Sequence, residues 1–540
     1  MPVPPLPTST VLTTLALDGH SLTLDHVSSA ATRPGPVVCA LTDEARVRMA
    51  ASVRVKNDLI ASGAALYGVT TGFGDSSDRQ ISAAKAEALQ RNLLRFLRAG
   101  VGSYAPDDVV RATLLIRANC AARGSSAIRE EPVTLLLELL RADLLPLIPE
   151  RGSVGASGDL APLSYVAAVL TGEGNVRCQG RELPAAEALR ARGLHPVHLR
   201  AKEGLALVNG TSFMTAYATL AHAEARELAW IAELCTAWAT EVRRGPAEQF
   251  DAFPHTHKRH RGQAASAAHI HRLLTGSRLT AVPPSAETSE TGYAELDRNI
   301  QDPYSLRCAP HVIGVLRDTL EWTGHWLTTE INSSNDNPLF DAATGRVHNS
   351  GNFYGGHVAQ AAQALTSAAA SVADLLDRQL QLLLDDSYSR GLPANLVAPV
   401  ASAEAGVHHG FKGTQLTASA LTAEALHLTM PVSSFSRSTE SHNQDKVSMG
   451  TIAARHARTS IGLATEVAAI TLLALAQAAD LRGPHLLAPA TRAAHTTMRQ
   501  SIAFLDQDRP LDTDIHRATA LIRTAAIRRL SDASEAAHSV

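Results

Sequence analysis

The sequence predicts a mostly α protein built from long antiparallel helices, and three observations carry that prediction. Beyond Val27, alanine, leucine and arginine dominate the chain. Apolar residues recur at steps of three and four, as at Leu365, Ala369, Val372, Leu376, Leu380 and Leu383, which lays one apolar stripe along a helix. The alanine-rich tracts are helix formers rather than low-complexity disorder, because alanine loses no side-chain freedom in a helix. Long antiparallel helices bury such stripes with few connections.

Other segments depart from this pattern. Val11 to Val27, which includes LDGHSLTLDHV, mixes Thr, Leu and Val with turn residues and suits a short hairpin. Thr280 to Pro303 is rich in Pro, Ser, Thr and acidic residues, and Asn332 to Gly356 in Asn and Gly; both read as loops, where function often lies. Val467 to Ala479 is the longest apolar run, too short to cross a bilayer, and reads as a buried helix.

The chain has 540 residues, 45% of them hydrophobic, and a formal net charge of -3, which supplies a large core and is too even for a nucleic-acid binder. No Pro/Gly/Ser linker precedes residue 280, so one or two large units are expected. Cys39, Cys120, Cys178, Cys235 and Cys308 are far apart and in no metal-ligand or oxidoreductase spacing, which suits a reducing cytoplasm. The N-terminus, with four prolines, lacks the basic-then-apolar pattern of a secretion signal, and no membrane partner is expected.

The segment Gly152-Ser153-Val154-Gly155-Ala156-Ser157-Gly158-Asp159 gathers residues of minimal bulk beside an acid. Such a run ordinarily makes a tight turn before a helix, with Asp159 near the helix N-terminus. The same residues permit a chemical step: the unhindered Gly158 nitrogen could attack the Ala156 carbonyl if the turn were compressed. Loss of water would leave an imidazolone ring, and dehydration of Ser157 would add an exocyclic methylidene.

GSVGASGDLAPLSY resembles the cofactor-forming segment of the aromatic amino acid ammonia-lyases, the family of histidine and phenylalanine ammonia-lyases. The resemblance recurs in YGVTTGFG (Tyr67 to Gly74), LALVNGTS (Leu205 to Ser212), QDPYSLRC (Gln301 to Cys308), EINSSNDNP (Glu330 to Pro338), SGNF (Ser350 to Phe353) and HNQDKVSMG (His442 to Gly450), spanning most of the chain. It implies that Ala156, Ser157 and Gly158 become 4-methylidene-imidazole-5-one (MIO), formed autocatalytically, with no metal and no pyridoxal phosphate. It implies an N-terminal region bearing this loop, residues 1–205, followed by a long-helix bundle, residues 206–540. It also implies a homotetramer whose active sites draw residues from three subunits.

The resemblance further assigns roles. Tyr67 becomes the candidate base, which requires its phenol pKa to fall from about 10, through a helix N-terminus or a nearby arginine. Arg307 becomes the bidentate clamp for the substrate carboxylate. Asn209, Gln301, Tyr304, Asn335 and Phe353 become pocket residues, with Tyr304 in the catalytic group, and Glu330 an acid near the amino group. Taken alone, a lone tyrosine is ordinarily a packing anchor and a lone arginine a solvated surface residue.

Two positions bear on the substrate. Phe96-Leu97 stands where histidine-type members carry Ser-His, and an apolar pair suits a phenyl ring. Leaving a tyrosine hydroxyl unpaired there would cost roughly 1 to 3 kcal/mol. Gln444 stands where histidine-type members place a glutamate, and it carries no charge to pair with imidazolium. The substrate implied is L-phenylalanine, giving trans-cinnamate and ammonia; histidine, tyrosine and an aromatic 2,3-aminomutase are the alternatives. Ser350 and Tyr354 depart from the family pattern near the pocket entrance. The helical fumarase and argininosuccinate-lyase group also has long bundles, but its signature loop is not found here. A non-catalytic scaffold would be marked by a changed Ser157, Tyr67 or Arg307, and all three are intact. The histidines His255, His257, His260, His269 and His271 lack carboxylate and cysteine partners at ligand spacing, and Lys258 to Arg261 is too short a basic run for nucleic acid.

Overall fold

The computed structural model describes residues 14–32, 37–280, 292–296, 299–399, 404 and 406–538. The fold is mostly α, and its longest helices are Ser212–Val242, Ala309–Ile331, Gly356–Leu384 and Gly450–Arg482. The chain groups into two compact units interleaved in sequence. The first comprises Met1–Ala223, Thr323–Gln363 and Pro431–His456, and the second Glu224–Trp322, Ala364–Met430 and Ala457–Val540.

The second unit holds most of the long helices, and the apolar pattern explains them. Leu365, Ala369, Val372, Leu376, Leu380 and Leu383 are all buried on one helix, so the three-and-four spacing marks a packed face. Val467 to Ala479 is buried on all sides within Gly450–Arg482. The best 18-residue window of that helix has a mean hydropathy of 1.7, enough by length and composition to cross a membrane, but 78% of it is covered by protein. Its one long polar side chain there, Gln477, is satisfied by exchanging hydrogen bonds with the Leu505 backbone at 2.8 and 3.0 Å.

The first unit mixes shorter helices with small sheets. Leu15–Leu17 pairs in parallel with Cys39–Leu41, and Leu24–Thr32 is a helix, so the hairpin expected over Val11 to Val27 does not form; its first residues lie outside the described ones. The LDGH turn is instead tied down by Asn119, whose side-chain Oδ1 accepts from Gly19 N at 3.1 Å. The stretch Asn332 to Gly356, expected as a loop, contains a hairpin pairing Leu339–Asp341 with Arg346–His348. Phe340 on its first strand is buried against Leu66 and Val69, which gave an Asn/Gly-rich segment its strand. Most of the loop expected over Thr280 to Pro303 lies outside the described residues.

Removing a stripe residue tests the packing. Leu376→Ala should lower the denaturant midpoint by an amount worth about 2–5 kcal/mol, whereas Arg378→Ala, two residues along and half exposed, should cost less than about 1 kcal/mol. Equal losses in the two variants would contradict the assigned face.

Candidate functional site

The Ala156-Ser157-Gly158 loop leaves the short strand Pro149–Arg151 and ends at the helix Leu160–Leu170. Gly158 lies in the left-handed region at φ +70° and bridges Gly210 backbone to backbone. Asp159 N donates to Gly210 O at 2.7 Å, and a Cβ on Gly158 would sit 2.1 Å from that same oxygen. A side chain is therefore excluded at Gly158 by conformation and by space.

Asp159 stands at the start of the Leu160–Leu170 helix but does not cap it with its side chain. Its carboxylate is fully buried and accepts from the backbone N–H groups of Phe213 and Met214, the latter at 2.8 Å, at the N-terminus of Ser212–Val242. It also accepts from the Ser153 hydroxyl at 3.0 Å and from Thr451. Burial, the largest effect, outweighs these bonds and pushes its pKa up to about 6. From the other side, Ser448 N and Oγ donate to Gly155 O at 3.2 and 3.0 Å, and Met449 N donates to Val154 O at 2.9 Å. Ala156 packs against Val447 and Met449. The loop is thus gripped by backbone and side chains of Val447 to Thr451.

A cavity of about 210 Å³ opens over Ser157. Asn209, just past the helix Glu203–Val208, donates from Nδ2 to the Ser157 carbonyl at 2.8 Å. Gln444 donates from Nε2 to the Ser157 hydroxyl at 3.3 Å, while its Oε1 accepts from Thr439 Oγ1 at 2.8 Å. Thr439 thereby turns the amide nitrogen of Gln444 toward Ser157. Phe96, Leu97 and Phe353 line the same cavity, with Leu93, Leu160 and Leu205 adding to the apolar wall.

Tyr67 lines the cavity too, and its hydroxyl accepts from Gly74 N at 2.9 Å. Its turn is built by the two threonines of the TTG run. Thr70 Oγ1 accepts from Leu66 N and donates to Ala64 O, both at 2.9 Å, and Thr71 Oγ1 accepts from Gly68 N at 3.1 Å. The phenol pKa is raised, chiefly by burial, with the Glu440 carboxylate adding to the rise and the Gly74 N–H opposing it. The lowered value expected for a base is not produced within this unit: the group acting on the phenol is an acid, not an arginine.

Other expected residues lie elsewhere. Asn335, buried, and Glu330, partly buried, stand behind the Asn209–Thr211 turn rather than in the cavity: Asn335 Nδ2 donates to Thr211 Oγ1 at 2.8 Å, and Thr211 in turn donates to Glu330, whose pKa is raised, chiefly by desolvation. Gln301, Tyr304 and Arg307 belong to the second unit, where they line a separate, open cavity of about 1150 Å³ with Arg243 and Arg390. There the Arg307 guanidinium stands 4.5 Å from the Tyr304 ring centre, and Tyr304 is 71% exposed. Among the described residues no group of three or more His, Cys, Asp or Glu could hold a metal ion. Of the histidine cluster, His269 pairs with buried Glu233 at 2.5 Å and His255 with Gln263 at 3.0 Å.

Comparison with known proteins bears on this geometry. Residues 22–500 match the family described as aromatic amino acid lyase. The chain belongs to the aromatic amino acid lyase family. It is 41% identical over 509 residues to a histidine ammonia-lyase of Symbiobacterium thermophilum, covering 94% of this chain and 96% of that one. It is 41% identical over 526 residues to a tyrosine ammonia-lyase of Cupriavidus metallidurans, covering 95% and 96%. The crystal structure of a tyrosine aminomutase from Streptomyces globisporus superposes with a TM-score of 0.90 at 36% identity, over 97% of this chain and 99% of that one.

In this lyase, residues in the cavity wall and behind it were not singled out in the sequence. Asn337 donates from its backbone N to Asn209 Oδ1 at 2.8 Å and accepts from Ser350 N at 2.6 Å, so it links two expected segments. Buried Gln90 ties the Tyr67 loop to the Glu203–Val208 helix, donating to Gly68 O and accepting from Leu205 N, both at 2.9 Å. Glu440 lines the cavity beside Gly74. Asn337 sits inside the EINSSNDNP motif and Glu440 two residues before HNQDKVSMG, whereas Gln90 stands in a helical stretch with no motif of its own.

Asp159 gives a pH test. Its folded pKa of about 6 is raised above its unfolded value of about 4, so its contribution to stability is complete below about pH 4 and is lost as pH rises through about 6. Asp159→Asn stays neutral throughout, so its stability deficit relative to the parent should shrink by about 1–2 kcal/mol between about pH 5 and about pH 8. A deficit that is constant or widens in melting curves would contradict the buried ionisation.

Proposed function

We propose that this lyase removes ammonia from an aromatic amino acid, with L-phenylalanine preferred and trans-cinnamate as product, using an MIO ring made from Ala156, Ser157 and Gly158. The observation that carries the reading is the grip on Ser157: its carbonyl is held by Asn209 and its hydroxyl by Gln444, in a cavity that also holds Tyr67 and a leucine-rich wall. The loop fits the group, because the space beside Gly158 admits no Cβ and its backbone is fixed from both sides. Ring formation joins Gly158 N to the Ala156 carbonyl carbon. The Ala156 oxygen leaves as water with the Gly158 and Ser157 amide protons, and the Ser157 hydroxyl leaves as a second water with the Ser157 α-proton. No oxidant or reductant is consumed. Once formed, the ring supplies an electrophilic methylidene carbon that activates the substrate for loss of ammonia.

The chain's own residues do the rest. Leu93, Leu97 and Phe96 receive the phenyl ring, and Leu97 offers no partner to a ring hydroxyl or imidazole. Asn209 directs a donor at the Ser157 oxygen, where it stabilises negative charge. Tyr67 takes the β-proton at its phenolic oxygen. Its raised pKa calls for positive potential from outside the first unit. In this reading the chain forms a homotetramer in which Gln301, Tyr304 and Arg307 of neighbouring subunits complete the pocket, Arg307 clamping the substrate carboxylate. The exposure of Tyr304 and the open cavity around Arg307 support that role. Five free cysteines suit work in a reducing cytoplasm.

Similar enzymes carry histidine and tyrosine in their names, so the substrate is decided by assay. With the three amino acids supplied separately, cinnamate should form fastest; faster urocanate or coumarate would overturn the preference, and a β-amino acid as main product would make the enzyme an aminomutase. Leu97→His should move the preference toward tyrosine by about 1–3 kcal/mol in relative kcat/KM. Intact mass should show the loss of two waters in the parent and none in Ser157→Ala.

Two further outcomes test the site. Glu440→Gln removes the carboxylate that raises Tyr67, so the rising alkaline limb of kcat/KM should move to lower pH; no movement would remove Tyr67 from the proton step. Ser157→Ala and Arg307→Ala should each be inactive alone yet regain activity when coexpressed, because mixed tetramers rebuild some intact sites. Absence of recovery in mixed tetramers would place all site residues on one chain.

A further inference from the structure

Beneath the cavity wall lies a charge pair that the proposed mechanism does not use. Lys202 and Asp336 are both fully buried, and Lys202 Nζ donates to Asp336 Oδ2 at 2.7 Å. The other carboxylate oxygen accepts from the buried Ser126 hydroxyl at 3.0 Å. Neither Lys202 nor Asp336 lines the cavity, but each adjoins a segment that does. Asp336 precedes Asn337, whose backbone N donates to Asn209 Oδ1 at 2.8 Å. Lys202 heads the helix Glu203–Val208, and Asn209 comes directly after that helix. Asn209 Nδ2 then donates to the Ser157 carbonyl at 2.8 Å, and the buried Arg117 holds the Asn209 carbonyl at 3.0 Å.

The short helix is therefore fixed at its start by an ion pair and at its end by an amide relay to the same Asn335–Asn337 stretch. Lys202 also holds φ +78°, a left-handed conformation that a non-glycine residue keeps only where its surroundings impose it. A buried ion pair is a weak source of net stability compared with apolar side chains of the same volume, and register is the best-attested use of such pairs.

We propose that the Lys202–Asp336 pair positions Asn209 against the Ser157 carbonyl and so sets the tilt of the Ser157–Gly158 peptide from which the Gly158 nitrogen reaches the Ala156 carbon. The inference rests on the ring-forming reading of the Ala156-Ser157-Gly158 loop. Lys202 and Asp336 are positioning residues: they touch neither the reacting atoms nor the substrate. Without the pair, the helix and the Asn337 segment part, Asn209 swings, and fewer chains close the ring. Leu93, Phe96 and Leu97, which receive the substrate ring, stand on the separate helix Ala86–Leu97 and stay in place.

The experiment uses full-length Lys202→Met, which keeps the side-chain length and removes the charge, alongside the parent. Intact mass gives the fraction of chains lighter by two waters, and kinetics with phenylalanine give kcat and KM separately. The expected result is a folded assembly of parental size in which the modified fraction, or kcat per modified chain, falls about tenfold or more while KM stays within about twofold. A folded variant with parental modification and parental kcat would overturn the proposal, as would a raised KM at unchanged kcat. If Lys202→Met does not fold, Asp336→Asn, of equal volume, carries the same measurement with the same deciding outcomes. A parent enzyme that turns over without losing two waters would overturn the ring-forming reading itself, and that result is seen before any variant is made.

Discussion

Gly158 and Gly210 meet backbone to backbone, and the site is arranged around that contact. With no Cβ on either residue, the loop bearing Ser157 lies directly against the turn just past Asn209, close enough for Asp159 N to reach Gly210 O at 2.7 Å. A Cβ on Gly210 would come within 2.1 Å of Arg117 Nη1 and 2.6 Å of Asn335 Oδ1, so the crowding continues on the far side. Two layers of buried polar groups are thus stacked with a bare backbone between them. The Asn209 amide sits at the Ser157 carbonyl because nothing separates the two strands of chain.

Such an arrangement is expensive in desolvation. Asp159, Lys202 and Asp336 are all buried, and burial works against the charged form of Asp159, of the partly buried Glu330 and of the lysine. The fold offsets this with hydrogen bonds aimed from several elements at each charge, as at Asp159, where two hydroxyls and two backbone N–H groups converge. Apolar residues of similar volume would stabilise the core at least as well. The polar layer is therefore better explained by the geometry it enforces on Ser157 than by stability.

Features set by periodicity and by local chemistry were open to reading from the sequence. The helical stripe through Leu376 and the all-round apolar run to Ala479 are readable because burial imposes the same spacing wherever a helix packs. Tyr67, Phe96, Leu97, Ser157, Asn209, Phe353 and Gln444 were legible through motifs, and the structure brings these seven to one cavity. The hairpin at Leu339–His348 was not legible, since its strands owe their form to Phe340 packing under Leu66, a contact across most of the first unit's sequence. Gln90 was hidden for the same reason: its role lies in what its amide reaches at Gly68 and Leu205. A linear division at residue 205 likewise has no access to the return of Thr323–Gln363 and Pro431–His456 into the first unit.

The electrostatics of Tyr67 fit the division of the site that the proposed assembly makes. Inside the first unit the phenol meets burial, one backbone N–H and the Glu440 carboxylate, and the sum holds its proton more tightly than water would. In the proposed mechanism, a base so placed is idle until positive charge approaches. The cationic side chains suited to that task, Arg307 among them, stand in the second unit around an open cavity, with Tyr304 exposed beside them. In the proposed assembly, bringing these groups to Tyr67 supplies the substrate clamp and relieves the base in one step. A chain folded but unassembled would then hold its loop ready and its phenol protonated, so that proton abstraction waits on association.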